Sequence, residues 1–212
     1  EIRRLTYAGV DKLLAEGIKA LVLACNTATS VAVEDLRADL DIPVIGMEPA
    51  IKPAINHTRK GRILVMATTV TLQLPKFEKL VKNLNAEDEI IPLPAPELAT
   101  LIEEGESRKI LKYLKKLLAP YPGRISAVVL GCTHYLFCID QIRTILPGVP
   151  IIHGNNGTVL NLKNILAQND LLNDSGGSVK LMTSLPESCL KVYERLLTMP
   201  YNEGYFDNSI II

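Results

Sequence analysis

One segment of this chain occurs twice. The stretch "ALVLACNTAT" (20–29) and the stretch "AVVLGCTHYL" (127–136) each run apolar residues into a small residue, a cysteine and a threonine. Cys25 and Cys132 are offset by 107 residues, and the same offset relates Pro43 of "IPVIG" (42–46) to Pro150 of "VPIIH" (149–153). Two blocks in one register mark an internal duplication. So long a unit in only two copies does not build a solenoid. It predicts two related half-molecules.

Between and around the copies, helical and strand patterns alternate. Ile2, Leu5, Val10, Leu13 and Leu14 have helical spacing, and Gly17 reads as a stop. The near-continuous apolar run "IKALVLA" (18–24) suits a strand covered on both faces of a parallel sheet. Helix is expected over 29–40, 52–58, 74–84, 97–121 with a break at Gly105, 138–146, 158–172 and 186–197. Strands are expected over 42–46, 61–68, 88–94, 125–131 and 149–153, with an edge strand over 179–184, and "NEGYFDNSIII" has no assignment. Alternation of this kind defines the α/β class. The expected architecture is two similar α/β lobes with mostly parallel sheets, related by a pseudo-twofold axis, with the active site between them. Residues 1–51 and 153–212 are assigned to lobe one and 52–152 to lobe two.

Composition narrows the function classes. Lys+Arg and Asp+Glu number 23 each among 212 residues. So even a balance argues against a nucleic-acid partner. No apolar run reaches the ~18 residues that span a membrane, so no membrane partner is expected. The four cysteines form no C-x-x-C pair, which gives no support to a zinc site. A reduced protein of the cytoplasm is the default.

The repeated turns carry the chemistry. Ligands of open α/β sheets bind at the carboxyl ends of strands, where Cys25 and Cys132 stand. A helix start there attracts anions and lowers a thiol's pKa. Asn26, Thr27 and Thr133 add short groups that can hold a carboxylate. Two thiols converging on one small anion suit the inversion of a stereocentre next to a carboxylate. One thiolate removes a proton from one face and the opposite thiol returns one to the other. Neither a metal nor a cofactor is required. Cys138 and Cys189 lie in apolar helical patterns and read as packing residues.

At these residues the sequence resembles the cofactor-independent amino-acid racemase family. "LACNTA" (23–28) and "LGCTHY" (130–135) resemble its two signature motifs, and His134 after Cys-Thr resembles the glutamate branch. "DIPVIGMEPAIKPA" (41–54) resembles the segment after the first motif, "MATTVT" (66–71) a Gly-Thr-x-x-Thr turn, and "LIEEG" (101–105) a Leu-Val-Glu-x-Gly motif. The resemblance implies that Cys25 and Cys132 are the acid–base pair. It implies that Asn26, Thr27, Thr68, Thr71 and Thr133 bind the substrate, glutamate, and that Glu103 and His134 assist proton transfer. It also implies a role in supplying D-glutamate for peptidoglycan.

Ala67, Thr100 and Leu136 depart from a Gly and two Pro of the family pattern. The family's opening strand, its Asp-Ser-Gly-x-Gly-Gly turn and its Pro-Tyr-Gly loop do not occur in this sequence. The expectation is a racemase lacking the family's N-terminal segment, with little or no activity as it stands. A bared sheet edge favours association, so a homodimer is a partner the sequence allows. An aspartate or related racemase, or a truncated non-catalytic paralogue, are the alternative readings.

Overall fold

The two copies of the repeat fold into the same hydrogen-bonded unit. The structure, a computed structural model, describes residues 1–58, 61–173, 175–186 and 189–199. Helix α1 (Ile2–Ala15) leads into strand β1 (Leu21–Leu23), helix α2 (Asn26–Asp39) and strand β2 (Val44–Gly46). The strands β1 and β2 pair in parallel, Leu21 opposite Val44 and Leu23 opposite Gly46. In the second copy, β5 (Ala127–Leu130) pairs in parallel with β6 (Ile151–His153), Val128 opposite Ile151 and Leu130 opposite His153. Each partner stands 107 positions after its counterpart. The backbone bond from Leu21 N to Pro43 O (2.9 Å) recurs as Val128 N to Pro150 O (2.8 Å).

The second copy sits in a larger sheet. Helix α3 (Ile51–Thr58) precedes β3 (Ile63–Ala67), and helices α4 (Thr69–Gln73) and α5 (Pro75–Asn83) precede β4 (Ile90–Pro94). Helices α6 (Leu98–Glu104) and α7 (Ser107–Leu118) lead to β5. The four parallel strands run in the order β4-β3-β5-β6. Every residue of β3 and of β5 is buried. Their alternate side chains feed one core with Leu98, Leu114 and Ile142, and another with Ile51, Phe77 and Val81. Apolar on both faces, these strands are of the kind that parallel sheets require.

Sheet one has a smaller core, in which Val10 and Leu36 meet Leu21, Leu23 and Val44. Here α2 packs tightly on β2. A Cβ on Gly46 would lie 2.6 Å from Thr29 Cγ2. Thr29 Oγ1 donates to Leu23 O (3.1 Å) and accepts from Met47 N (3.0 Å), tying helix to strands. A two-stranded sheet is marginal without further packing. Amide exchange is therefore expected to be faster over 21–46 than over 127–153. Equal protection, measured by mass spectrometry, would contradict this.

Several local expectations need correction. The first helix after Cys25 starts at Asn26, not at residue 29. After Cys132 a 3-10 turn (Thr133–Cys138) precedes α8 (Ile139–Ile145). Its tight pitch puts Tyr135 and Cys138, three residues apart, on one face. Both are fully buried, and the Tyr135 hydroxyl donates to Ala95 O (2.7 Å). Residues 179–184 form no strand. Val179 is 82% exposed, and Lys180 reaches Glu16 (2.6 Å) across the surface. The tail from 200 onward lies outside the described residues.

Helix α9 (Asn155–Gln168) packs against β2. The closing helix is α10 (Leu190–Thr198). Its Leu196, Val192 and Tyr193 pack on the core beneath the four-stranded sheet. Among the described residues no helix is long and apolar enough to cross a membrane.

Candidate active site

Cys25 and Cys132 occupy equivalent backbone positions. Cys25 caps α2 with φ −134° and ψ 121°, and Cys132 caps the 3-10 turn with φ −144° and ψ 132°. Both are extended, as residues at the handover from strand to helix must be. Neither side chain caps its own helix, so both thiols remain available. Cys25 is exposed and Cys132 half-buried.

The two turns meet. Asn26, next to Cys25, is buried, and its Nδ2 donates to Gly131 O at 2.8 Å, next to Cys132. Asn26 Oδ1 is buried with no hydrogen-bond partner among the described residues. An unpaired buried carbonyl oxygen costs ~1–3 kcal/mol. It is an acceptor waiting for a donor.

Three threonines close a ring beside them. Thr27 Oγ1 lies 2.7 Å from Thr71 Oγ1 and 3.2 Å from Thr68 Oγ1, and Thr68 and Thr71 are 2.9 Å apart. Thr68 also caps α4, accepting from Thr71 N (3.2 Å). The cap uses only the Thr68 hydroxyl and the backbone N–H of residue 71, which leaves the Thr71 hydroxyl to the ring. In a closed ring each hydroxyl donates once and accepts once. A carboxylate that takes those donors opens the ring. Thr133 begins the 3-10 turn, half-buried.

On the Cys132 side, three groups stand in line. Glu103 Oε1 lies 2.8 Å from His134 Nε2, and His134 Nδ1 lies 4.0 Å from Cys132 Sγ. A carboxylate on Nε2 favours the tautomer that carries its proton there, which leaves the Nδ1 lone pair facing the thiol. Such contacts are often long before substrate binds and tighten with it.

One electrostatic expectation fails. A helix start was expected to lower the thiol pKa at both turns. At Cys132 burial instead pushes it up to about 11, and the charges of Cys25 and Glu103 push the same way. Backbone N–H groups of His134 and Tyr135 oppose this without prevailing. A 3-10 turn six residues long offers a weaker dipole than the 14-residue α2. Resting Cys132 is therefore a neutral thiol. The influence of Cys25 on it also places the two thiols within electrostatic reach.

Cys138 is fully buried and donates from Sγ to Tyr135 O (3.1 Å), and burial pushes it up to about 12. It is a packing residue, as its pattern implied. Sequence reasoning missed Gly131. Its N–H donates to Met66 O (2.7 Å), and a Cβ there would lie 2.9 Å from Ala67 Cβ. Ala24 holds the matching position of the first copy, and that difference was the only sign of it.

A four-stranded parallel sheet with polar and thiol groups at its strand ends is a frame on which many chemistries occur. Comparison with known proteins assigns this one. The chain belongs to the Asp/Glu/Hydantoin racemase family, whose family model matches residues 4–160. It is an amino-acid racemase, an isomerase.

Within that family several of its relatives are glutamate racemases. It is 46% identical to the glutamate racemase of Clostridium acetobutylicum over 206 residues, covering 94% of this chain and 80% of that one. Among solved structures, a Bacillus anthracis glutamate racemase superposes with a TM-score of 0.76 at 31% identity, covering 92% of this chain and 76% of that one. The Escherichia coli glutamate racemase, in complex with L-glutamate and the activator UDP-MurNAc-Ala, gives a TM-score of 0.78 at 28% identity, covering 92% and 77%. The fold is thus the two-lobed racemase fold.

Proposed function

We propose, against the little or no activity that the sequence alone led us to expect, that this chain interconverts L- and D-glutamate, with Cys25 and Cys132 as acid–base groups on opposite faces of Cα. The observation that carries the reading is the bond between Asn26 and Gly131. It joins the two repeated turns at one place, so equivalent thiols from equivalent strand ends serve a single ligand. The likeness to glutamate racemases supports glutamate as that ligand.

The roles follow from the geometry. The substrate ammonium supplies the donor that Asn26 Oδ1 lacks. Thr27, Thr68 and Thr71 turn their hydroxyls from one another to a carboxylate, and Thr133 adds another donor. In the L-to-D direction Cys132 must first lose its proton. Its raised pKa opposes this, and His134 Nδ1 is the acceptor that answers it, with Glu103 stabilising the imidazolium. The Cys132 thiolate then takes the Cα proton, and the Cys25 thiol gives one to the other face. In the D-to-L direction the roles reverse. No cofactor takes part. The D-glutamate formed would serve peptidoglycan synthesis, with the protein acting in the cytoplasm.

The test follows circular dichroism of L-glutamate, D-glutamate and L-aspartate in D₂O, with mass spectrometry of the product. Inversion of both glutamate enantiomers with one deuterium at Cα is expected. Inversion of aspartate in preference to glutamate would shift the reading to the aspartate branch. Inversion without deuterium would exclude proton transfer through exchangeable thiols.

A further inference from the structure

The C-terminal helix α10 reaches back to the end of α6, behind Glu103. Arg195 Nη2 donates to Ile102 O (3.1 Å) and Glu103 O (2.6 Å). We propose that Arg195 is a positioning residue for the Glu103–His134–Cys132 line, holding the last turn of α6 so that the Glu103 carboxylate stays on His134 Nε2. The proposal rests on the two-thiol reading given above for what that line does.

The physical need is plain. The last carbonyls of a helix have no partners within it. Helix α6 has only seven residues and ends at Gly105 in the left-handed conformation, with φ +74°. The Gly105 N–H returns to Ile102 O (3.0 Å), but Glu103 O receives its hydrogen bond from Arg195. Glu103 thus sits in a final turn that would otherwise fray, with its side chain 43% exposed. A frayed turn lets the carboxylate leave the imidazole.

The guanidinium is well suited to prevent this. Its positive charge meets the negative end of the helix dipole. Its two contacts come from one planar group with fixed geometry. The helix that carries it is anchored by Leu196 in the core beneath the four-stranded sheet. Gly105 makes room for it, because a Cβ built there would run into the Arg195 guanidinium. Gly105 and Arg195, 90 positions apart, therefore fit each other as well as the helix end.

The experiment compares Arg195→Met, Arg195→Lys, Glu103→Gln and the double variant Arg195→Met/Glu103→Gln. Imidazole ¹⁵N spectra of the resting protein need no substrate. Wild type should show His134 as the Nε2–H tautomer, and Arg195→Met a mixture of tautomers. With glutamate, Arg195→Met should lower kcat about tenfold from L-glutamate with little change in KM, as a misplaced relay does. Arg195→Lys should recover most of that loss. Arg195→Met should add nothing further in the Glu103→Gln background.

An unchanged His134 tautomer in Arg195→Met would overturn the proposal. So would a loss of kcat in Arg195→Met that adds fully to that of Glu103→Gln. If wild type fails to invert glutamate, the two-thiol reading falls, while the tautomer comparison still decides the role of Arg195.

Discussion

Replacing Cys25 or Cys132 by alanine is expected to lower racemisation at least ~10³-fold, towards the upper end of what a positioned acid–base group contributes. The reason is stereochemical. A carbanion at Cα must be protonated from the face opposite to the one that lost its proton. With one thiol gone that face has no donor, and the remaining thiol can only return a proton to the side it came from. Each alanine variant should therefore still wash deuterium into one enantiomer slowly, without inverting it. Stability should change little in Cys25→Ala, because that side chain is exposed and makes no hydrogen bond among the described residues. Loss of activity with an unchanged melting temperature would place the defect in the chemistry. Near-normal inversion by either alanine variant, followed by circular dichroism, would rule out the two-thiol mechanism.

Gly131→Ala should also lower the rate steeply, although it touches no reacting atom. The new Cβ would lie 2.9 Å from Ala67 Cβ and 3.2 Å from Met66 O, and neither is the free end of a flexible side chain. The backbone at 131 must move by several tenths of an ångström. Gly131 precedes Cys132, hydrogen-bonds to Met66 O and receives the Asn26 side chain. One shift thus disturbs the second thiol and the bridge to the first turn. Overpacking of this kind costs ~1–3 kcal/mol of stability. Misplacement of a catalytic group by about 1 Å costs about 10² in rate. Gly157→Ala is the control: it lies within α9 with nothing within 4 Å of its added Cβ. That substitution should leave the rate intact and add ~1 kcal/mol of helix stability. Equal rates for the two alanine variants would show that the strand end tolerates displacement.

The sequence carried the frame of the site further than its local detail. The offset of 107 between the copies anticipated the strand register to the residue, because register follows from which side chains each strand must bury. The threonines at 68 and 71 were legible only through the family resemblance, since their hydroxyls meet Thr27 from a distant part of the chain. The 3-10 turn after Cys132 was not legible. It arises where Tyr135 finds Ala95 O and a buried place in the core, both set by distant chain. The raised pKa of Cys132 was missed for the same reason, since burial is a property of the packed fold. Residues 179–184 misled because Val179 and Leu181 alternate as strand residues do, yet among the described residues no neighbouring strand takes their backbone groups. Arg195 was invisible in a linear reading: its partners at 102 and 103 lie more than 90 positions away.

The two thiols differ, one exposed at the start of a long helix, the other half-buried beside His134 and Glu103. Mirror-image substrates have the same free energy in water, so a racemase works at an equilibrium constant of one. Thermodynamics then obliges kcat/KM to be equal in the two directions, however unlike the two sides of the site become. The asymmetry can appear only as a trade within each direction, a higher kcat matched by a proportionally higher KM. A progress curve started from either enantiomer therefore ends at the same racemic mixture, and the separate constants carry the record of how far the two copies have diverged.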